Sequence, residues 1–140
     1  MNIQLLIRPV SGSGAAGHYG EMFRMNNISH STCMLKGFPG LALLDAKFNT
    51  LPTHLTWSTT IAGNHPVTPV SLAPGHSAYF LLYWPEIPTG NEACPSAPYM
   101  MITPPNDRLP DVTYSSTNIA IHPCGGRIAT SPVVSTPFNF

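Results

Sequence analysis

The sequence predicts an all-β domain, an immunoglobulin-like antiparallel β-sandwich of about seven to nine short strands. Three observations point there. First, 16 prolines and 11 glycines are spread along the 140 residues. Proline removes a backbone donor and disrupts helix interiors, so few stretches can hold a long helix. Second, the longest proline-free run, residues 10–38, carries Gly12, Gly14, Gly17, Gly20 and Gly37. Third, short apolar or alternating runs lie between these breakers, with turn signals about every 8–12 residues. No long helical pattern alternates with them, which argues against a parallel βαβ sheet. The length suits one domain, residues 1–140, with a loose C-terminal tail at 135–140.

The elements follow in order. Residues 3–8 form an apolar first strand, and the glycine-rich residues 11–17 a flexible loop. Across 21–26, Phe23 and Met25 fall on one face and Met22 and Arg24 on the other, a period of two. Strands at 32–35 and 41–45 are divided by the turn cluster Gly37-Phe38-Pro39-Gly40. Residues 54–60 alternate Leu55 and Trp57 against Thr56 and Ser58. Val67, Val70 and Leu72 precede the turn Ala73-Pro74-Gly75. The most aromatic strand spans 77–84, with Tyr79, Leu81 and Tyr83 on one face and Phe80, Leu82 and Trp84 on the other. Residues 85–98 read as a long loop. A strand at 99–102 is continued by Val112 and Tyr114, and short strands at 119–121 and 133–134 close the list.

Charge is scarce. Lys, Arg, Asp and Glu make up 9% of the chain, against about 25% in an average domain. Six basic and six acidic residues cancel, so no large positive patch can hold a phosphate backbone, and nucleic acid is excluded as a partner. No span approaches the roughly 20 apolar residues that cross a bilayer, so the expected link to a membrane is an anchor upstream of Met1.

The chain has three cysteines, Cys33, Cys94 and Cys124, and no Cys-x-x-Cys pair. Cys94 beside Pro95 and Cys124 beside Gly125 stand at turn positions where a disulfide could staple two connections. The alternative is three reduced, buried cysteines acting as small hydrophobes. If Cys94 pairs with Cys124, Cys33 is left over, either as a thiol or bonded to a cysteine lying upstream of Met1.

The order of several short motifs resembles the DUF4232 family. They are Gly14-Ala15-Ala16-Gly17, then Thr32-Cys33-Met34-Leu35-Lys36-Gly37-Phe38-Pro39-Gly40, then Leu72-Ala73-Pro74-Gly75-His76-Ser77-Ala78. Ala93-Cys94-Pro95 and Cys124-Gly125-Gly126 follow near the end. Each motif alone is weak, but their order and spacing over residues 4–134 are specific. The resemblance implies a bacterial domain that is exported, lipid-anchored or tethered beyond the membrane. It also implies a four-cysteine pattern whose last two members match Cys94 and Cys124 and whose second matches Cys33. The first position, before the opening strand, is empty here. The family has no established activity.

The residues offer three kinds of chemistry. The aromatic side chains Tyr79, Tyr83, Trp84 and Trp57 are candidates for a platform that binds a protein or glycan at the cell envelope. His18, Met22 and Met25 form the one local cluster of soft ligands, the type that suits copper(I), although Met22 and Met25 point to opposite faces of a strand. The six acids form no recognised acid–base motif, and neither a Gly-x-Ser-x-Gly elbow nor a His-Glu-x-x-His sequence is present. The expectation is therefore a non-catalytic extracytoplasmic binding or structural module without a cofactor. Metal handling is the first alternative and an uncharacterised enzyme the second.

Overall fold

The computed structural model describes residues 4–106, 110–117 and 119–139. Ile3, Asp107 and Phe140, which belong to the expected first strand, a turn and the tail, lie outside these residues. The described chain is all-β, with ten strands and one turn of 3-10 helix at Cys124–Gly126. The strands are β1 (Leu5–Ala15), β2 (His18–Asn27), β3 (Cys33–Leu35), β4 (Gly40–Leu44) and β5 (His54–Trp57). They continue as β6 (Val70–Leu72), β7 (Ser77–Pro85), β8 (Tyr99–Thr103), β9 (Asp111–Tyr114) and β10 (Arg127–Thr130).

Three sheets result. The largest has the order β1-β2-β7-β10-β5, a second pairs β3 with β6, and a third runs β4-β8-β9. Their apolar faces meet in one buried cluster. Ile7, Phe23, Phe80 and Leu82 come from the large sheet, Leu35 and Val70 from the small one, and Leu43, Met100 and Ile102 from the third. The alternation read for β2 holds, with Phe23 and Met25 fully buried and Arg24 exposed.

Four expectations change. Residues 11–17 are not a flexible loop, because β1 runs through Ala15 and pairs with β2 across a two-residue turn. Ala16 and Gly17 both have positive φ, the geometry that suits a tight hairpin. The strand glycines serve close approach: a Cβ at Gly12 would collide with the Glu21 carboxylate, and one at Gly14 with the Tyr19 ring. Val112 and Tyr114 do not continue β8, since they form the separate antiparallel strand β9. The segment 119–121 holds only a single bridge, Ala97 to Ile121. Finally, the unforeseen strand β10 lies between β7 and β5 and runs parallel to β5, so the pairing is not antiparallel throughout.

The second face of the aromatic strand is covered by the C-terminal segment. Leu81 is buried, and its cross-strand partner is Met22. The Phe138 amide donates to Met22 Sδ at 3.3 Å, and the buried Phe138 ring packs edge-on against His65. The tail expected to be loose therefore docks at Phe138 and covers this face of the strand. The 85–98 loop is tied down by a disulfide between Cys94 and Cys124, across a sequence separation of 30. The Gly125 amide donates to Ala93 O at 2.8 Å beside it.

Candidate functional site

An exposed aromatic platform lies on the outer face of the third sheet. In the β8–β9 register, Tyr99 sits opposite Tyr114 and Met101 opposite Val112, while Met100 and Thr113 turn inward. The Tyr99 and Tyr114 rings stand 5.4 Å apart with planes tilted by 34°. Phe48 joins from the turn after β4, 4.6 Å from Tyr99 and tilted by 37°. Both centroid separations and tilts are those of favourable aromatic contacts. Tyr114 is 62% exposed and Phe48 57%, so this cluster faces solvent rather than the core. With Arg8 and Val112 it lines a shallow depression of about 280 Å³.

The turn that presents Phe48 is specified by Asp45. Asp45 Oδ1 accepts the amides of Lys47 at 2.8 Å and Asn49 at 3.0 Å, and Asp45 O accepts that of Phe48 at 3.0 Å. Side-chain acceptors of this type mimic a backbone turn. The Asn49 and Lys47 amides also hold the Asp45 carboxyl below the usual carboxylate range. Phe48 itself has φ of +64°, a left-handed conformation that costs a bulky L-residue about 1–2 kcal/mol. Ala16, Ala62 and Asn106 also have a positive φ, and Phe48 is the one bulky aromatic among the four. At the rim, Arg8 lies 3.6 Å from Asp111, whose Oδ2 also accepts the Ile7 amide at 3.1 Å. That pair ties β9 to the edge of the large sheet.

The aromatics singled out from the sequence are dispersed. Trp84 is 3% exposed, faces the core and donates from Nε1 to Glu86 Oε2 at 2.8 Å. Tyr79 is half-buried and bridged to Val134. Tyr83 is exposed on the outer face of the large sheet, where it stacks on His18 at 5.9 Å. Trp57 is exposed at the edge strand and stacks on Phe38 at 5.2 Å. Its row in the register runs through Thr130 to the inward-facing Leu82, whereas the Tyr83 row runs through Ala129 to Thr56. Tyr83 and Trp57 thus belong to opposite faces, and the four residues do not form one surface.

The soft-ligand cluster does not converge either. Met25 is fully buried on the inner face of β2, while His18 and Met22 lie on the outer one. Four residues of extended strand separate His18 from Met22 by about 13 Å. Among the described residues no three His, Cys, Asp or Glu side chains group as metal ligands. Cys33 is buried in β3 opposite Leu72.

The family profile of DUF4232, a domain of unknown function, matches residues 4–134, nearly the whole chain. No curated protein and no solved structure matches it.

Proposed function

The chain belongs to the DUF4232 family, a domain of unknown function, and we propose that it is a non-catalytic extracytoplasmic module that binds an envelope glycan through the Phe48–Tyr99–Tyr114 platform. The single observation that carries this reading is a pair of exposed rings, Phe48 and Tyr114, each packed on the half-buried Tyr99 between them, with Phe48 held at a strained φ. Sugar rings present C–H faces that pack on aromatic surfaces, and hydroxyls that bond tyrosine O–H and arginine N–H groups. The platform offers both, with Arg8 at its rim.

The compartment reading is supported by the Cys94–Cys124 bridge, because disulfides persist in oxidising spaces and are rare in reducing ones. An immunoglobulin-like sandwich is the finer form of the all-β fold in this reading. It is supported by a core shared between the large sheet and the two smaller ones.

Co-sedimentation with insoluble peptidoglycan, repeated with soluble peptidoglycan fragments as competitors, tests the function. Saturable binding that Tyr114→Ala weakens is the expected result. Binding to peptidoglycan that Tyr114→Ala and Phe48→Gly both leave unchanged would move the site elsewhere, and capture of a protein in place of the glycan would change the ligand class.

A further inference from the structure

A second cavity, of about 360 Å³, lies on the inner side of the β1–β2 hairpin, beneath residues 116–117 and 119–121. That volume is at the low end of small-molecule sites. Its floor is Gly12 and Gly14, which leave room above β1 for the side chains of Glu21 and Tyr19. One wall is aromatic, with Tyr19 stacked on Trp84 at 6.1 Å and 18° between planes. Two carboxylates line it, those of Glu21 and Glu86, and no Lys or Arg does. The chain has only six acidic residues, and two of them line this one cavity.

Both carboxylates also hold the covering segment. Glu21 Oε1 accepts the Thr117 amide at 3.2 Å, and Glu86 Oε2 accepts the His122 amide at 3.1 Å. Those bonds do not explain the charge. A glutamine would accept the same amides without the cost of burying an anion, which is large when no counter-charge is present. Glu21 is 3% exposed, and burial pushes its carboxyl above the ordinary range despite the Thr117 bond. The other titratable groups nearby are Glu86 and Tyr19 in the cavity and His122, whose Nδ1 lies 3.9 Å from Glu86 Oε1. A cavity that joins one buried and one half-buried carboxyl group to aromatic faces has the composition that recognises organic cations.

We propose that this cavity binds a small organic cation, an alkylammonium group whose charge sits between Glu21 and Glu86 and whose methylene or methyl groups pack on the Tyr19–Trp84 wall. The site is separate from the aromatic platform and does not depend on it. The test is NMR titration of the whole chain with choline, with n-butylammonium and with the neutral choline isostere 3,3-dimethylbutan-1-ol. Saturable shifts of the Thr117 amide and the Trp84 indole N–H with the cations, and none with the alcohol, are expected. Glu21→Gln keeps the Thr117 bond and is expected to weaken cation binding about tenfold while leaving the fold intact, as read by an unchanged spectrum elsewhere. Glu86→Gln is the second variant, with the same expected direction. N-acetyl-lysine methylamide binding more tightly than n-butylammonium would identify a lysine side chain of a peptide as the source, and the reverse a free amine. Absence of saturable shifts with both cations would overturn the proposal. So would equal binding of the alcohol, or full cation affinity in Glu21→Gln.

Discussion

The two aromatic regions of this molecule have opposite fates. Residues 77–84 concentrate Tyr79, Phe80, Tyr83 and Trp84 in one strand, and that strand is the middle of the large sheet, with Phe80 stacked on Phe23 at 5.3 Å in the core. Phe48, Tyr99 and Tyr114 stand far apart in sequence, one per element, yet they meet at the surface. In this central strand the inward row carries the buried Phe80 and Trp84, while Tyr83 on the outer row stays exposed. Density of aromatics on a surface is made by register and turns, and such a surface suits a ligand.

The contrast can be broken at its buried end first. Phe80→Ala removes a fully buried ring and is expected to cost about 3–5 kcal/mol in urea unfolding. A loss below 1 kcal/mol would mean that the strand is not central. Replacing Cys94 and Cys124 together by serine should cost about 3–4 kcal/mol, the chain-entropy value for a loop of this length, and equilibrium unfolding of the oxidised parent against the variant reads it.

The exposed end should behave in the reverse way. Phe48→Gly relieves a left-handed conformation and is expected to hold stability or to raise it by up to about 1–2 kcal/mol, offset in part by the lost contact with Tyr99. Tyr114→Ala should change stability by less than about 1 kcal/mol while weakening peptidoglycan binding. Both are read by thermal melts beside the co-sedimentation assay.

The smallest effect concerns pH. Burial raises the Glu21 carboxyl above its ordinary 4.5, so between that value and the raised one the folded chain holds more protons than the unfolded chain. Stability therefore falls as pH rises through this window and stays lower above it. Glu21→Gln is expected to flatten that fall and to be the more stable protein at neutral pH, as read by urea melts from about pH 4 to 8.

Much of the fold was legible because proline and glycine punctuate it. β2, β4 and β7 appear where period-two or apolar runs place them. The misreadings have physical causes. Gly12 and Gly14 signal a turn by propensity, but here glycine marks a strand crossed closely by Glu21 and Tyr19. β10 is four residues, Arg-Ile-Ala-Thr, directly after two glycines, too short and too mixed to register as a central strand. The platform was less legible still. Tyr99 and Tyr114 become neighbours only through the β8–β9 register, and Phe48 joins only because Asp45 closes its turn. The available signals were a lone aromatic inside an Asp-x-x-Phe-Asn turn and one tyrosine at each end of a hairpin, and none stands out without the pairing. The cavity acids were equally hidden, since Glu21 and Glu86 lie far apart in sequence and come to line one cavity through the pairing of β2 with β7.

The most direct test of the platform reading is a binding isotherm of the parent chain and the Phe48→Gly/Tyr114→Ala double variant against insoluble peptidoglycan, with melting temperatures measured on the same samples. The expected result is saturable parent binding that weakens at least about tenfold in the double variant, with a melting temperature that does not fall. Equal binding by the two proteins would contradict the assignment of the platform as the binding surface.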